Sequence, residues 1–258
     1  MLSDLLPYHR YIRQNALRDI RHRYAGTGLG LFWHVISPLL QILVYYYVFS
    51  HIFQKIGFDL PGVNAPFAVY LCSGMLPWVS FTEAVVRGTG AFQDNATYLR
   101  KLPIPGPVFV ATAAATATLQ LSISLAILVL FSVSMGLHPT WTWLLLPVIC
   151  ALWQIVGFGL GLLLGTLNVF FRDVFQMLVA LLQIWMWSVP IVYLEDSFHP
   201  WWVLNPPYAF LHSVREVFLY GRLPELWLWG AMIGWGVLLV TTGMLVYRAL
   251  RAELRDVL

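Results

Sequence analysis

The sequence predicts an all-α integral membrane protein with six transmembrane helices, an N-terminal amphipathic interface helix, and re-entrant half-helices between the fifth and sixth spans. Three observations carry this expectation. Of 258 residues, 59% are hydrophobic and 10% are charged, against about 25% charged in a soluble domain. Apolar runs of roughly 20 residues, the length that crosses hydrocarbon, recur along the chain. The basic residues are shared unevenly between alternate connections, as retention of Lys and Arg on the cytoplasmic side requires.

The spans are read at Leu31–Phe53, Phe67–Val86, Val108–Met135, Trp141–Leu167, Phe175–Tyr193 and Leu226–Tyr247. With both ends inside, 12 of the 15 lysines and arginines fall on the cytoplasmic side, and Lys55, Arg215 and Arg222 fall outside. No linker or repeat interrupts the chain, so residues 1–258 read as one domain. Its two cysteines, Cys72 and Cys150, lie in apolar runs and read as small buried hydrophobes.

Ahead of the first span, the stretch 1–30 is basic and has no apolar core of the secretory kind, so it is expected to stay cytoplasmic. Within it, Ile12, Ala16, Leu17, Ile20 and Tyr24 share one helical face, and Arg10, Gln14, Arg18 and Arg21 the opposite one. That pattern suits a helix lying on the inner leaflet; a solvated basic tail is the plainer reading. Glu83, near the inner end of the second span, has Arg87 one turn away as a ready partner. The cytoplasmic stretch 88–107, with Asn95, Arg100 and Lys101 bounded by Pro103 and Pro105, reads either as a short helix offered to a soluble partner or as a connecting loop.

In the fourth span Gly157, Gly161 and Gly165 form a stripe at spacing four, which lets a neighbouring backbone approach; packing inside the monomer is the favoured use. Several rings lie away from the span ends where interface anchors belong. Tyr45, Tyr46, Tyr47, Trp185 and Trp187 are candidates to line a conduit for sugars, whose C–H faces stack on aromatic rings. Core or lipid packing is the alternative for each. Three consecutive helical residues point about 100° apart, so at most two of the three tyrosines can face one pathway.

The segment 194–225 is too aromatic for a solvated loop, and Pro206 and Pro207 interrupt it. It is expected to cap a pathway from the outer side, with Trp201, Trp202 and Tyr208 as gate candidates; helices lying flat in the aromatic belt are the alternative. Glu195, Asp196, His199, His212 and Glu216 are the residue types of a metal or hydrolytic site, but no ligand spacing joins them, so no metal is expected. No midplane carboxylate cluster suggests ion coupling, and no phosphate-binding loop is present. Any ATP and Mg used must therefore be bound by a partner, and no cofactor is expected in this chain.

Arg23-Tyr24 followed by Leu29-Gly30, Trp33 and Pro38, then LCSGMLPW from Leu71 to Trp78, GTLNVFFRD from Gly165 to Asp173, Pro190 to Tyr193, and Asn205-Pro206 carry a resemblance along the whole chain. The chain resembles the permease subunit of ABC-2 type polysaccharide exporters, of the O-antigen (Wzm-like) type. Capsule and teichoic-acid exporters share parts of the pattern. The resemblance implies a homodimer with two copies of a separate ATPase in the bacterial inner membrane, moving an undecaprenyl-linked polysaccharide between the two permeases, with no nucleic acid involved. It implies a coupling helix near Ala91–Leu102, a cytoplasmic gate at the N-terminal helix with Arg23, Tyr24, Arg172 and Asp173 at that interface, and first and fifth spans that frame a lateral opening. A membrane enzyme built on Glu195, Asp196 and His199, or a passive channel, are the competing classes.

Overall fold

The structure is a computed structural model that describes residues 5–54, 66–195, 202 and 204–257. Its helices are α1 (His9–Arg23), α2 (Trp33–Gln54), α3 (Phe67–Asp94), α4 (Ala96–Lys101), α5 (Pro107–Ser134), α6 (Leu146–Phe170), α7 (Asp173–Trp187), α8 (Pro206–Phe218) and α9 (Leu226–Val257). No strand occurs among the described residues.

Among the described residues, five segments are long and apolar enough to cross a membrane: Gly30–Phe49, Phe67–Asp94, Pro107–Ser134, Trp141–Phe170 and Leu226–Leu254. The place of the fifth expected span is taken by α7, an apolar helix of 15 residues. At 1.5 Å per residue it is about 22 Å long, short of the roughly 30 Å of hydrocarbon. The expected helix to Tyr193 stops at Trp187 because Pro190 disfavours the α conformation at Val189. Two other helices outrun their expected ends. α3 passes Val86 and continues to Asp94, and α9 passes Tyr247 and continues to Val257. In the α3 extension Gln93 donates to the Asn168 carbonyl at 3.0 Å, and where the α9 extension begins the Tyr247 hydroxyl accepts from the Gly106 amide at 3.1 Å.

α3 and α6 form the centre, packed against each other along their lengths, with α5 beside α3 and α9 beside α6. The glycine stripe explains the close approach. A Cβ on Gly161 would come within 3.2 Å of the Gly88 Cα, and one on Gly165 within 2.8 Å of the Gly88 carbonyl oxygen. Gly159 serves the other side: its Cβ would meet the Leu239 backbone at 2.6 Å. The stripe is thus used for packing inside the monomer. α3 and α6 are mostly buried, whereas α2 and α9 turn most of their apolar side chains outward. In water such faces carry a large penalty; against lipid or a second membrane helix they carry none.

Candidate functional site

At one end of the bundle, α1 packs chiefly on α5. Its inward stripe is Ile12, Ala16 and Ile20, with Ala16 fully buried and Tyr11 edge-on to Phe109 at 6.5 Å. Leu17, expected on the same face, stands exposed. Residues four apart stay aligned, while Leu17 is rotated about 100° from Ala16. The inward place is taken instead by Asp19, which accepts from Arg87 Nη2 at 2.7 Å and from the Thr116 hydroxyl at 3.2 Å. Glu83 has two cationic partners, Arg23 Nη1 at 2.5 Å and Arg87 Nη1 at 3.6 Å. The expected i,i+4 pair is present but is the longer of the two.

Tyr24 packs its ring against His34 at 4.8 Å and Trp33 at 6.4 Å, which fixes the turn from α1 into α2. Arg172 and Asp173 lie exposed at the start of α7, and no ion pair joins them to Arg23 among the described residues.

The stretch between α3 and α5 contains a helix, α4, of six residues. Asn95 makes the break: its side-chain amide donates back to the Ala91 carbonyl at 2.9 Å, closing off α3 before α4 begins. α4 buries Leu99 and exposes Tyr98, Arg100 and Lys101. A cavity of about 470 Å³ separates α4 and the end of α3 from α1, with Arg18, Asp19, Arg87 and Asp94 among its lining.

Within the membrane the five candidate rings divide. Tyr47 and Trp187 are 66% and 61% exposed and point away from the bundle. Tyr45 accepts from Gln41 at 3.2 Å and lies edge-on to Phe49, and Tyr46 lies edge-on to Phe131 at 5.6 Å. Trp185 packs inward against Trp78 and Phe81 and donates its indole N–H to Asn205 Oδ1 at 2.8 Å. α2 and α7 both pack on α3, so Tyr47 and Trp187 are carried by two helices that share one neighbour.

Of the segment 194–225, the structure describes Leu194, Glu195, Trp202 and the residues from Leu204 onward; Trp201, Asp196 and His199 lie outside the described residues. Pro206 and Pro207 do not interrupt a helix but begin α8, where their missing N–H groups cost nothing. α8 packs against α3, α6 and α9 rather than on the bundle's outside. Trp202 stacks on Tyr208 at 5.1 Å. The Tyr208 hydroxyl donates to Glu195, and His212 Nδ1 contacts the other Glu195 oxygen at 2.9 Å. Burial alone would raise the Glu195 carboxyl, but the hydrogen bonds from His212 and Tyr208 and nearby positive charge hold it below its ordinary range. Burial alone would lower the His212 imidazole; the bond to Glu195 and the charges of Glu195 and Glu216 outweigh it and raise it.

Sequence reasoning missed Arg215. Counted as an outer-loop cation, it is 2% exposed. Its guanidinium lies 3.7 Å over the Tyr70 ring and donates to the Pro190 and Ile191 carbonyls. The signal was present: Arg215 falls at i+4 from Leu211 and i+7 from Tyr208, on the apolar stripe of α8. Gly74 makes the room, since a Cβ there would stand 3.0 Å from Arg215 Nη2.

Comparison with known proteins agrees with this architecture. The family model described as ABC-2 type transporter matches residues 10–219. An O-antigen export system permease protein RfbA of Myxococcus xanthus is 26% identical over 99% of this chain and 98% of its own length. A protein of the same name from Klebsiella pneumoniae is 25% identical over 93% of this chain and 92% of its own. The polysialic acid transport protein KpsM of Escherichia coli is 27% identical, but over 34% of this chain and 32% of its own length. The family match covers most of the chain, from α1 through α8, and the long apolar helices supply the membrane body it requires; the chain belongs to the ABC-2 type transporter family as a membrane-embedded transport subunit, not an enzyme.

Proposed function

We propose that this chain is the permease of an ATP-driven exporter that moves undecaprenyl-linked O-antigen polysaccharide across the bacterial inner membrane. It works as a homodimer with two copies of a separate ATPase that binds ATP and Mg. The observation that carries this reading is the near full-length similarity to proteins named O-antigen export permeases. α4 is the coupling element, with Arg100 and Lys101 exposed toward the ATPase and Asn95 fixing its angle to α3. α1, with Arg23 and Tyr24, stands at the cytoplasmic entrance, and Arg172 and Asp173 flank it from α7. Trp202 and Tyr208 stack at the outer end, where α8 closes the pathway. Both termini are cytoplasmic. A capsular polymer is the second reading, supported by the shorter similarity to KpsM.

Deleting the gene in its host tests both readings. Loss of surface polymer on lipid A core with lipid-linked polymer retained inside supports O-antigen export. Loss of a polymer not joined to lipid A core supports capsule export. Unchanged surface polysaccharide overturns both.

A further inference from the structure

Asp19, Arg87, Glu83 and Arg23 form a chain of alternating charge between α1 and α3. Arg87 is shared by Asp19 at 2.7 Å and Glu83 at 3.6 Å, and Glu83 by Arg87 and Arg23, the latter at 2.5 Å. The acids and bases balance, two against two, so nothing within the set drives it apart. Yet the side chains of Asp19, Arg23 and Arg87 are 39%, 42% and 36% exposed, and only Glu83, at 14%, is well covered. Ion pairs this open to water are weak. They hold a position without making it permanent.

What lies on either side gives the chain its meaning. Below it, α3 runs unbroken for eight residues from Arg87 to Asp94, about 12 Å of rigid helix, and leads through Asn95 into α4. A push on α4 therefore reaches Arg87 directly. Above it, a small cavity of about 110 Å³ lies between α2, α3 and α5. Ser37, Gln41, Ser80, Gln120 and Ser124 face that space, and Arg23 and Glu83 stand in its wall. A second cavity, of about 340 Å³, has Asp19, His22, Arg23 and Arg87 as its lining. Arg23 belongs to both walls, so its side chain borders both spaces. Arg23 ends α1 and Glu83 sits on α3, so the pair joins two helices that carry different parts.

We propose that the Asp19–Arg87–Glu83–Arg23 chain is a releasable latch. It holds α1 against α3 at rest and opens when α4 is displaced, so that the entrance and the coupling helix move in a fixed order. Glu83 and Arg87 are positioning residues: they act through the placement of α1. The proposal rests on the reading of the chain as an ATP-driven exporter permease with α4 as its coupling element.

The test uses the full complex of permease and ATPase in proteoliposomes loaded with lipid-linked polymer. Polymer moved per ATP hydrolysed is read for wild type, Arg23→Gln, Glu83→Gln, the double variant, and the exchange of Arg23→Glu with Glu83→Arg. Each single variant is expected to lower the ratio by about fivefold, the factor a pair worth about 1 kcal/mol supplies. The double variant should be no worse than either single one, and the exchange should recover part of the loss. Arg23 is exposed enough that Arg23→Gln keeps the test open if Glu83→Gln fails to insert. A wild-type ratio in Arg23→Gln, or additive losses with no recovery on exchange, overturns the latch while leaving the exporter reading intact. Absence of ATP-dependent movement in the wild-type complex overturns the exporter reading instead.

Discussion

Individual side chains show how narrow the tolerances are where helices touch. Gly165 of α6 sits so close to α3 that an added Cβ would meet the Gly88 carbonyl oxygen at 2.8 Å, and backbone cannot rotate aside as a side chain can. Gly165→Ala is expected to destabilise the protein by about 1–3 kcal/mol, the usual cost of overpacking. Gly230→Ala, with nothing within 4 Å of its Cβ, should be neutral or better. Thermal unfolding midpoints in detergent check the difference; equal midpoints would show that α3 and α6 separate at little cost. His212 offers a different measurement. Its raised pKa means that its contribution to stability is full below about 6.5, the unfolded value, and is lost as pH rises through the folded value. Glu195, held low, contributes above its unfolded value and loses that contribution as pH falls through its folded one. The pair is therefore most stabilising between the two unfolded values, and its contribution fades beyond them toward each folded value. An NMR titration should place His212 above its ordinary value, and Glu195→Gln should bring it down. A His212 midpoint indifferent to Glu195 would remove the pairing.

Helices add constraints that no single residue reveals. α2 and α7 each carry one outward ring, Tyr47 and Trp187, while Trp185 is turned into the core on the same helix as Trp187. Two residues along α7, the direction has turned by about 200°. Trp185→Ala is expected to lose about 3–5 kcal/mol and lower the amount of folded protein. Tyr47→Ala and Trp187→Ala should leave abundance unchanged and slow export per folded molecule. Normal export by both would assign the outward rings to lipid. At the other end, α4 keeps its angle through the Asn95 bond to Ala91, and it shows Arg100 outward. Replacing both Asn95 and Arg100 by Ala is expected to uncouple ATP hydrolysis from export with insertion intact; full export by the double variant would count against α4 as the coupling element.

Taken together, the helices make a body whose two ends differ in kind. One end gathers α1, the end of α3, α4 and most of the basic residues; the other holds α8, with Arg215 sealed beneath it. With 12 of 15 basic residues assigned to one side, that side is expected to face the cytoplasm. Cysteine placed at the exposed Leu223 should react with an impermeant reagent added to intact cells, and cysteine at Arg251 should not. The reverse pattern would invert the topology.

The all-α membrane class was legible in the sequence because hydropathy and helix length depend on consecutive residues, and lipid demands internally satisfied backbone wherever the chain crosses. The glycine stripe and the inward stripe of the N-terminal helix were legible for the same reason: both are periodic along one helix. The places where expectation and structure part are those set by contact between helices distant in sequence. Whether Glu83 pairs chiefly with Arg87 or Arg23 depends on where α1 comes to rest, 60 residues away. Whether Trp185 faces a pathway or the core depends on Trp78, Phe81 and Asn205. Arg215 reads as an exposed cation until Tyr70, Gly74 and the carbonyls of Pro190 and Ile191 assemble a site for it. A side chain's chemistry is fixed by its own residue, but its partner is chosen by packing, and packing is a property of the assembled chain.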